Sequence, residues 1–292
     1  MKHIKTISKM STLAVKWARQ GKTVGFVPTM GALHEGHVSL VRKARRENDI
    51  VVVSIFVNPL QFGPKEDFLR YPRDIKGDSK KLKSAGLDVL FTTTPAEMYP
   101  DGFVTHVLAD EQIEGVLCGA RRPGHFRGVL TVVAKLFNIV RPTTAYFGQK
   151  DFQQATLISR MAVDLNFPLK VKICPTVREK DMLAMSSRNM YLNTEERKQA
   201  AVISSALFEC KRMAESGRVH DSKKAIKWMR EIISSAPLAR IDYIEIVDRT
   251  TLKKADKIQG KLAACAAVYF GKTRLIDNVL IDAPRRHASK KR

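Results

Sequence analysis

The sequence predicts a doubly wound parallel α/β domain followed by a smaller α+β domain. Strand-like and helix-like segments alternate through the first part of the chain, the segment at 50–57 is β-branched nearly throughout, and the pattern changes after Asn193. Alternating strands and helices are typical of βαβ units, and a β-branched run suits a central strand that is covered on both faces. We therefore predict an N-terminal domain at 1–180 and a C-terminal domain at 181–292.

The N-terminal domain begins with a helix and continues with alternating strands and helices. Apolar residues between Met10 and Ala18 recur at the spacing of an amphipathic helix. The apolar run at 23–28 predicts the first strand, which we expect Pro28 to end, and a helix is expected from Val38 onward. The remaining segments are strands at 50–57, 87–92, 145–147 and 169–174, and helices around 129–137 and 157–165.

The C-terminal domain has the element order of an α+β unit. Thr194 is expected to cap a helix with Glu195 and Glu196 in its first turn, where acidic side chains are favourable. Two helical segments, divided near Gly217, begin at this cap. Three strands are then predicted, at 241–247, 264–270 and 275–281.

The composition is that of a globular protein with a strong basic excess. The chain has 51 Lys and Arg against 29 Asp and Glu, which gives a net charge of +22 and an isoelectric point of about 10.0. Such a charge favours an anionic partner such as nucleic acid, a membrane surface or a phosphorylated substrate. It also fits a solvated basic surface with a basic tail at 285–292, so the charge alone does not assign a function.

Membrane and secretory roles are not indicated. The longest mostly apolar run, at 262–270, is far shorter than the ~20 residues of a membrane span, and the basic start lacks the apolar segment of a secretory signal. Four cysteines lie far apart without a CxxC pair, at Cys118, Cys174, Cys210 and Cys265. This spacing predicts reduced thiols in a cytoplasmic protein.

Two histidines follow the first predicted strand and carry the strongest signal for chemistry. His34 and His37 lie where a strand of a doubly wound sheet passes into a helix, and ligands bind at the carboxyl ends of such strands. The helix start offers unpaired N–H groups and a positive dipole end, while Gly31 and Gly36 let the backbone approach closely. Two imidazoles spaced in this way suit a phosphate. A zinc protease would instead need its histidines four residues apart.

The His34-x-Gly36-His37 arrangement resembles the signature of the nucleotidylyl-transferase superfamily. The segment M-S-S-R at 185–188 is similar to that superfamily's second phosphate-binding loop. Further segments make the chain similar to the pantothenate synthetase family. They are 28–37, S-I-F-V-N-P-L-Q-F at 54–62, Y-P-R at 71–73, R-P-G-H-F at 122–126, F-G-Q-K-D-F-Q-Q at 147–154 and L-A-M-S-S-R-N at 183–189. They occur in the family's order and cover most of 20–192.

The resemblance implies a fold and a reaction. The N-terminal domain would be Rossmann-like and bind ATP and pantoate, and the C-terminal domain would form a lid over the site. With ATP and Mg²⁺, the pantoate carboxylate would attack the α-phosphate to give pantoyl adenylate and pyrophosphate. The amine of β-alanine would then attack the acyl carbon and release AMP. Family members are typically homodimers, and we carry that over as an expectation.

The resemblance also implies roles for individual residues. The catalytic residues would be His34, His37, Lys150 and Arg188. ATP would contact Met30, His34, His37, Gly148, Lys150, Asp151, Val177, Met185, Ser186, Ser187 and Arg188. Pantoate would contact Gln61, Gln154, Met30 and Phe62, while Asn58 and Arg122 are further site residues and Asp78 is a candidate ligand of Mg²⁺. An ordinary N-cap remains the alternative role for Asp151.

Two positions depart from the family's pattern. Met182 stands where the family usually has glycine, which matters if that position needs a positive φ, and Gln149 replaces an acidic residue before Lys150.

Two other functions stay open. A related adenylyl- or cytidylyltransferase would share the histidine motif but not the paired glutamines. A basic nucleic-acid-binding protein would need exposed aromatics for stacking, whereas aromatics are 7% of the chain, so we regard nucleic acid as an improbable partner.

Overall fold

The computed structural model describes residues 1–64 and 66–284. The chain divides into two compact units, Met1–Val177 and Arg178–Arg292. The sequence predicted a division a few residues later, after residue 180. The basic tail at 285–292 lies outside the described residues.

The first unit is built on a six-stranded parallel sheet. Its strands are β1 (Lys2–Ile4), β2 (Val24–Thr29), β3 (Ile50–Ile55), β4 (Val89–Thr92), β5 (Thr144–Gly148) and β6 (Lys170–Cys174). Its helices are α1 (Ile7–Arg19), α2 (Glu35–Glu47), α3 (Ile75–Ser84), α4 (Pro95–Met98), α5 (Glu111–Glu114), α6 (His125–Val140) and α7 (Phe152–Asp164). This is the doubly wound α/β domain that the sequence predicts.

The strand order is β1-β4-β3-β2-β5-β6, and every described pairing in this sheet is parallel. From β2 the chain proceeds to β3 on one side, and from β5 it proceeds to β6 on the other. The strand order therefore reverses between β2 and β5, and such a switch point opens a crevice at the carboxyl ends of the strands. The loops after β2 and β5 carry the histidine motif and Lys150.

The central strands lie in the core, as their composition predicts. Val51, Val52 and Val53 of β3 are 0% exposed, which agrees with a parallel strand covered on both faces. Two expectations at the sheet were wrong. Pro28 does not end β2, because the strand continues to Thr29, with Pro28 in register with Ser54 of β3. The strand at 50–57 ends at Ile55.

The second unit is the predicted α+β unit. Its helices are α8 (Thr194–Ala200), α9 (Val202–Glu215) and α10 (Ser222–Ser234), and its strands are β7 (Ala239–Asp248), β8 (Gly260–Phe270) and β9 (Thr273–Ala283). The strands pair antiparallel in the order β7-β8-β9. The core of this unit joins buried residues of α9 and α10 to alanines of β8. Such small side chains let helices pack closely on the sheet.

Two details of the helices differ from expectation. Thr194 was expected to cap α8, but Asn193 is the cap: its side chain accepts from the Glu196 N–H while Glu196 accepts from the Asn193 N–H. Asparagine is as good a cap as threonine, so composition did not separate the two. The first predicted helical segment is also divided at Ala201 into α8 and α9. Among the described residues, no helix is long and apolar enough to cross a membrane.

Candidate active site

The two histidines form the first turn of α2. His34 is the N-cap residue, and its Nδ1 accepts from the Gly36 N–H at 3.2 Å. The ring of His37 reaches back, so that its Nδ1 accepts from the His34 N–H at 3.4 Å. The helix therefore begins at Glu35 and not at Val38, because histidine takes the capping role usually filled by a small polar residue. The two ring centroids lie 4.2 Å apart.

These contacts fix the protonation of the rings. A nitrogen that accepts a backbone N–H carries no proton, so each neutral ring has its proton on Nε2. Removal from water, together with the neighbouring His34, lowers the pKa of His37 to about 3. His37 is thus neutral at pH 7. A neutral Nε2–H can donate to a phosphate oxygen without repelling a nearby cation.

Lys150 and Asp151 lie close to this helix start. They form a short 3₁₀ turn directly after β5, and the charges of both act on the pKa of His37. The Lys150 Nζ is 3.5 Å from Oδ1 of Asp151, and the lysine side chain is only 19% exposed. Asp151 precedes α7 in the N-cap position but makes no side-chain capping bond there. The N-cap alternative for Asp151 therefore loses its support. Gly148 ends β5 just before the turn.

Gln61 belongs to a buried polar group beside Met30. Its Nε2 donates to the sulfur of Met30 at 3.0 Å, and its Oε1 accepts from Nδ2 of Asn58 at 3.1 Å. Asn58 is 1% exposed and also bonds the Gly128 carbonyl and the hydroxyl of Tyr99. Asn58 therefore orients the Gln61 amide, which keeps a further N–H and a lone pair for a ligand.

The backbone of Gln61 is held as firmly as its side chain. The Nδ1–H of His125 donates to the Gln61 carbonyl at 2.8 Å, so its Nε2 is the nitrogen that accepts from Arg122 NH1, also at 2.8 Å. Burial, with the adjacent Arg122, lowers the pKa of His125 to about 4. Arg122 bonds both oxygens of Glu66 at 2.6 Å. Arg122 thus supports the Gln61 segment through a bidentate ion pair.

The remaining two residues expected at pantoate have different surroundings. Phe62 packs against Phe68 and Tyr71, with ring centroids 5.4 and 5.8 Å away, and so lies in an aromatic cluster. Gln154 is half-buried on α7. Its neighbour Gln153 is 4% exposed and bonds backbone groups between residues 113 and 119, which is a structural role.

Asp78 does not present the surroundings of a magnesium ligand. It is 1% exposed, its Oδ1 accepts from the Leu33 N–H at 2.8 Å, and its Oδ2 is buried without a hydrogen bond. Magnesium keeps several waters and needs open octahedral geometry. Within 1–64 and 66–284, no group of three or more His, Cys, Asp or Glu side chains could hold a metal ion. The side chains of these described residues therefore do not form a metal cage.

The expected second phosphate loop lies in the second unit. Ser186 caps a 3₁₀ helix at Ser187–Tyr191 by accepting from the Arg188 N–H at 3.2 Å. Met185 and Ser187 flank this cap and are half-buried. Val177, expected at the adenine, is the last residue of the first unit.

A tight turn precedes this loop. The Met182 N–H donates to the Glu179 carbonyl and the Glu179 N–H to the Leu183 carbonyl, and Met182 has φ +71°. This is the left-handed conformation that the glycine of the family's pattern would allow. Arg178 donates to the Met182 carbonyl and pairs with the buried Asp277 at 2.7 and 2.9 Å, so the turn is tied to β9.

Three residues of this site were missed by sequence reasoning. His125 lay within the quoted segment 122–126 without a role, and Glu66 had no signal because its partner is far along the chain. Lys81 was also not predicted as a site residue, although it donates to the Leu33 carbonyl at 2.6 Å. Its spacing of three from Asp78 was the one available clue, because residues three apart share a helix face.

The fold and site define a doubly wound α/β protein with two histidines at a helix start beside a sheet switch point, and comparison with known proteins gives its family. The pantoate-beta-alanine ligase family model matches residues 2–280. The pantothenate synthetase of Fervidobacterium nodosum is 54% identical over 97% of this chain and 100% of its own. The chain therefore belongs to the pantoate–β-alanine ligase family.

Solved structures agree with this assignment. The crystal structure of pantothenate synthetase from Thermus thermophilus has a TM-score of 0.90 and 45% identity, and covers 96% of this chain and 99% of that one. The pantoate-beta-alanine ligase from Francisella tularensis, complexed with beta-gamma ATP and beta-alanine, has a TM-score of 0.79 and 35% identity, with 96% and 97% covered. Family membership answers the question left open about a related adenylyl- or cytidylyltransferase.

Proposed function

We propose that this protein joins pantoate to β-alanine, with ATP cleaved to AMP and pyrophosphate through a pantoyl adenylate. The observation that carries the proposal is the grouping of His34, His37 and Lys150 beside the switch point between β2 and β5. Two neutral donors and one cation at a helix start suit a triphosphate whose charge rearranges during in-line displacement.

The first step is the formation of the adenylate. A carboxylate oxygen of pantoate bonds to the α-phosphorus while the bond to the bridging oxygen breaks, and pyrophosphate leaves with that electron pair. His34 and His37 donate from Nε2 to phosphate oxygens, and Lys150 neutralises their developing charge. The contribution of these residues is preorganised electrostatics and orientation, since none forms a covalent bond.

The second step is aminolysis of the adenylate. The unprotonated amine of β-alanine attacks the acyl carbon, the carbon–oxygen bond to the phosphate breaks, and AMP leaves while the nitrogen loses a proton. Gln61 and Gln154 hold the pantoyl hydroxyls and carboxyl group, with Met30 and Phe62 as apolar walls for its methyl groups. Support for this assignment comes from the amide of Gln61, which lies beside the sulfur of Met30.

The proposal extends to the nucleotide and to Mg²⁺. Asp151 bonds the ribose, Gly148 allows close approach to the nucleotide, and Val177 and Met185 line the adenine. Ser186, Ser187 and Arg188 of the second unit close over the triphosphate as a lid; Arg188 suits this because its guanidinium matches phosphate oxygens. Mg²⁺ would offset the charge of the ATP phosphates, as is usual for such sites.

Assembly and location complete the proposal. We infer a homodimer, supported by the apolar side chains exposed near the edge strand β6, where Val163 is 71%, Leu165 52% and Ile173 44% exposed. Exposed apolar groups beside an unpaired strand edge are typical of association sites. A cytoplasmic location is supported by the four free cysteines of the described chain.

The experiment that tests the function measures AMP and pantothenate formation from ATP, Mg²⁺ and pantoate, with and without β-alanine. Pantothenate and AMP in equal amounts, formed only when all substrates are present, are expected. Isotope exchange between pyrophosphate and ATP that requires pantoate but not β-alanine would identify the adenylate. A folded sample that produces no AMP with pantoate would contradict the proposal.

A further inference from the structure

Two side chains of α3 hold opposite sides of one residue, Leu33. Oδ1 of Asp78 accepts from the Leu33 N–H at 2.8 Å, and Nζ of Lys81 donates to the Leu33 carbonyl at 2.6 Å. The two side chains are three residues apart and therefore share a face of the helix. Leu33 directly precedes His34, so this contact lies next to the start of α2.

The segment that they hold has an unfavourable backbone conformation. Gly31 has φ +85° and Ala32 has φ +51°, so two successive residues are left-handed. Alanine resists this region because its Cβ crowds the following carbonyl, and such a conformation persists only where the surroundings enforce it. The next N–H in the chain, that of Leu33, donates to Oδ1 of Asp78, so this conformation is tied to α3.

The carboxylate is packed directly under this backbone. A Cβ on Gly31 would lie 3.2 Å from Oδ2 of Asp78 and 3.1 Å from Cγ2 of Ile55. Glycine is therefore required for the close approach. The same closeness explains why Oδ2 is buried without a hydrogen bond.

We propose that Asp78 and Lys81 are positioning residues that fix Leu33. They thereby determine which ring nitrogen of His34 and of His37 carries the proton. The His34 N–H donates to Nδ1 of His37, and the His34 ring caps the helix through its own Nδ1. Both contacts depend on the direction of the peptide that joins Leu33 to His34. The inference rests on the proposed role of the histidines at ATP, and it assigns Asp78 to backbone support and not to metal binding.

The Lys81→Met variant tests the lysine and has a matched control. Methionine keeps the length of the side chain but removes the donor to the Leu33 carbonyl. Lys80 is the exposed neighbour on the same helix, so Lys80→Met loses the same charge without that contact. We expect kcat to fall about tenfold in Lys81→Met with KM for pantoate changed less than about twofold, because small misplacement of donors lowers the rate. Lys80→Met should match the wild type.

Imidazole NMR of the substrate-free protein provides a readout that does not depend on activity. In the wild type, the ¹⁵N shifts of His34 and His37 should report a proton on Nε2 in both rings. Lys81→Met and Asp78→Asn should move them toward a mixture of tautomers, whereas Lys80→Met should not. Because this readout needs no turnover, it stays valid even if the wild type makes no pantothenate.

Magnesium titration separates the two roles of Asp78. In Asp78→Asn one oxygen acceptor remains, so kcat should fall a fewfold while the Mg²⁺ concentration for half-maximal rate stays within about twofold. A roughly tenfold higher Mg²⁺ requirement with unchanged imidazole signals would overturn the proposal and make Asp78 a metal ligand. Lys81→Met behaving like Lys80→Met in both rate and NMR would overturn it independently, even if Asp78→Asn failed to fold.

Discussion

At the scale of single residues, the chemistry of His34 and His37 depends on which nitrogen of each ring carries the proton. Backbone N–H groups occupy both Nδ1 atoms, so each neutral ring presents Nε2–H as its donor. A cationic imidazole beside Lys150 would add repulsion in the free protein. A neutral pair therefore lets the site hold two donors and one cation close together.

Replacing His37 tests this arrangement. We expect His37→Ala to lower kcat by roughly 10²–10³, since one preorganised donor to developing charge is lost. His37→Asn should be milder for folding, because an amide can still accept the His34 N–H. Steady-state kinetics at saturating ATP measures the effect, and circular dichroism checks the fold. Near-full activity in His37→Ala would remove this ring from the mechanism.

Gln61 is the residue whose loss should act on one substrate only. Gln61→Ala removes the amide beside Met30 and one of the two acceptors of the buried Asn58 Nδ2, whose bond to the Gly128 carbonyl remains. We expect KM for pantoate to rise about 10–100-fold, equivalent to one or two lost hydrogen bonds, with KM for ATP nearly unchanged. Gln112→Ala, at an exposed position on α5, serves as the control. Equal changes in both KM values would mean that Gln61 does not recognise pantoate.

At the scale of the elements, Met182 shows how a turn can retain a costly residue. It has φ +71° and is 45% exposed, so it gains little from burial while its Cβ crowds the backbone. The turn is held nonetheless, because Arg178 donates to the Met182 carbonyl and Arg197 bonds Asp181 and Glu179. These contacts lie next to the predicted phosphate loop of the second unit.

Met182→Gly should therefore stabilise the protein. Relief of left-handed strain contributes about 1–2 kcal/mol, and the greater freedom of glycine in the unfolded chain offsets about 0.5–1 kcal/mol of it. We expect a net gain of roughly 0.5–1 kcal/mol in urea unfolding. Met190→Gly, at an exposed position in a 3₁₀ helix, should instead destabilise. If both variants lost stability equally, the strain at Met182 would be negligible.

Elements with strong periodicity could be predicted from the sequence, and elements defined by tertiary contacts could not. The strand at β3 was recognisable because burial on both faces selects β-branched residues. β1 is three residues long, and α3 buries only Asp78 and Leu82 among several lysines, so neither has a clear pattern. The same holds at the site: the motif identified the histidines, but the bonds from His125 and Lys81 join distant segments.

At the scale of the whole molecule, the buried neutral histidines link stability to pH. His37 and His125 have pKa values of about 3 and about 4 in the folded protein, against an ordinary value of 6.5. Between these values and 6.5, the unfolded chain binds a proton at each position that the folded protein does not. Stability therefore rises with pH through this window and is lost on acidification below 6.5, by at most about 1.4 kcal/mol per pH unit for each ring.

The contribution of His37 can be separated from that of the many carboxylates that also titrate. This requires the change in unfolding free energy between two pH values in the wild type and in a His37 variant. The free energy of unfolding by urea is measured at about pH 7.5 and about pH 5 for the wild type and for His37→Gln. Glutamine has no titrating proton, so the variant should lose about 1–2 kcal/mol less between the two pH values than the wild type. Any constant destabilisation by the substitution cancels in this comparison. Equal losses would mean that the His37 ring gains a proton in the folded protein near its ordinary pKa, and the neutral-donor mechanism would then fail at the lower pH.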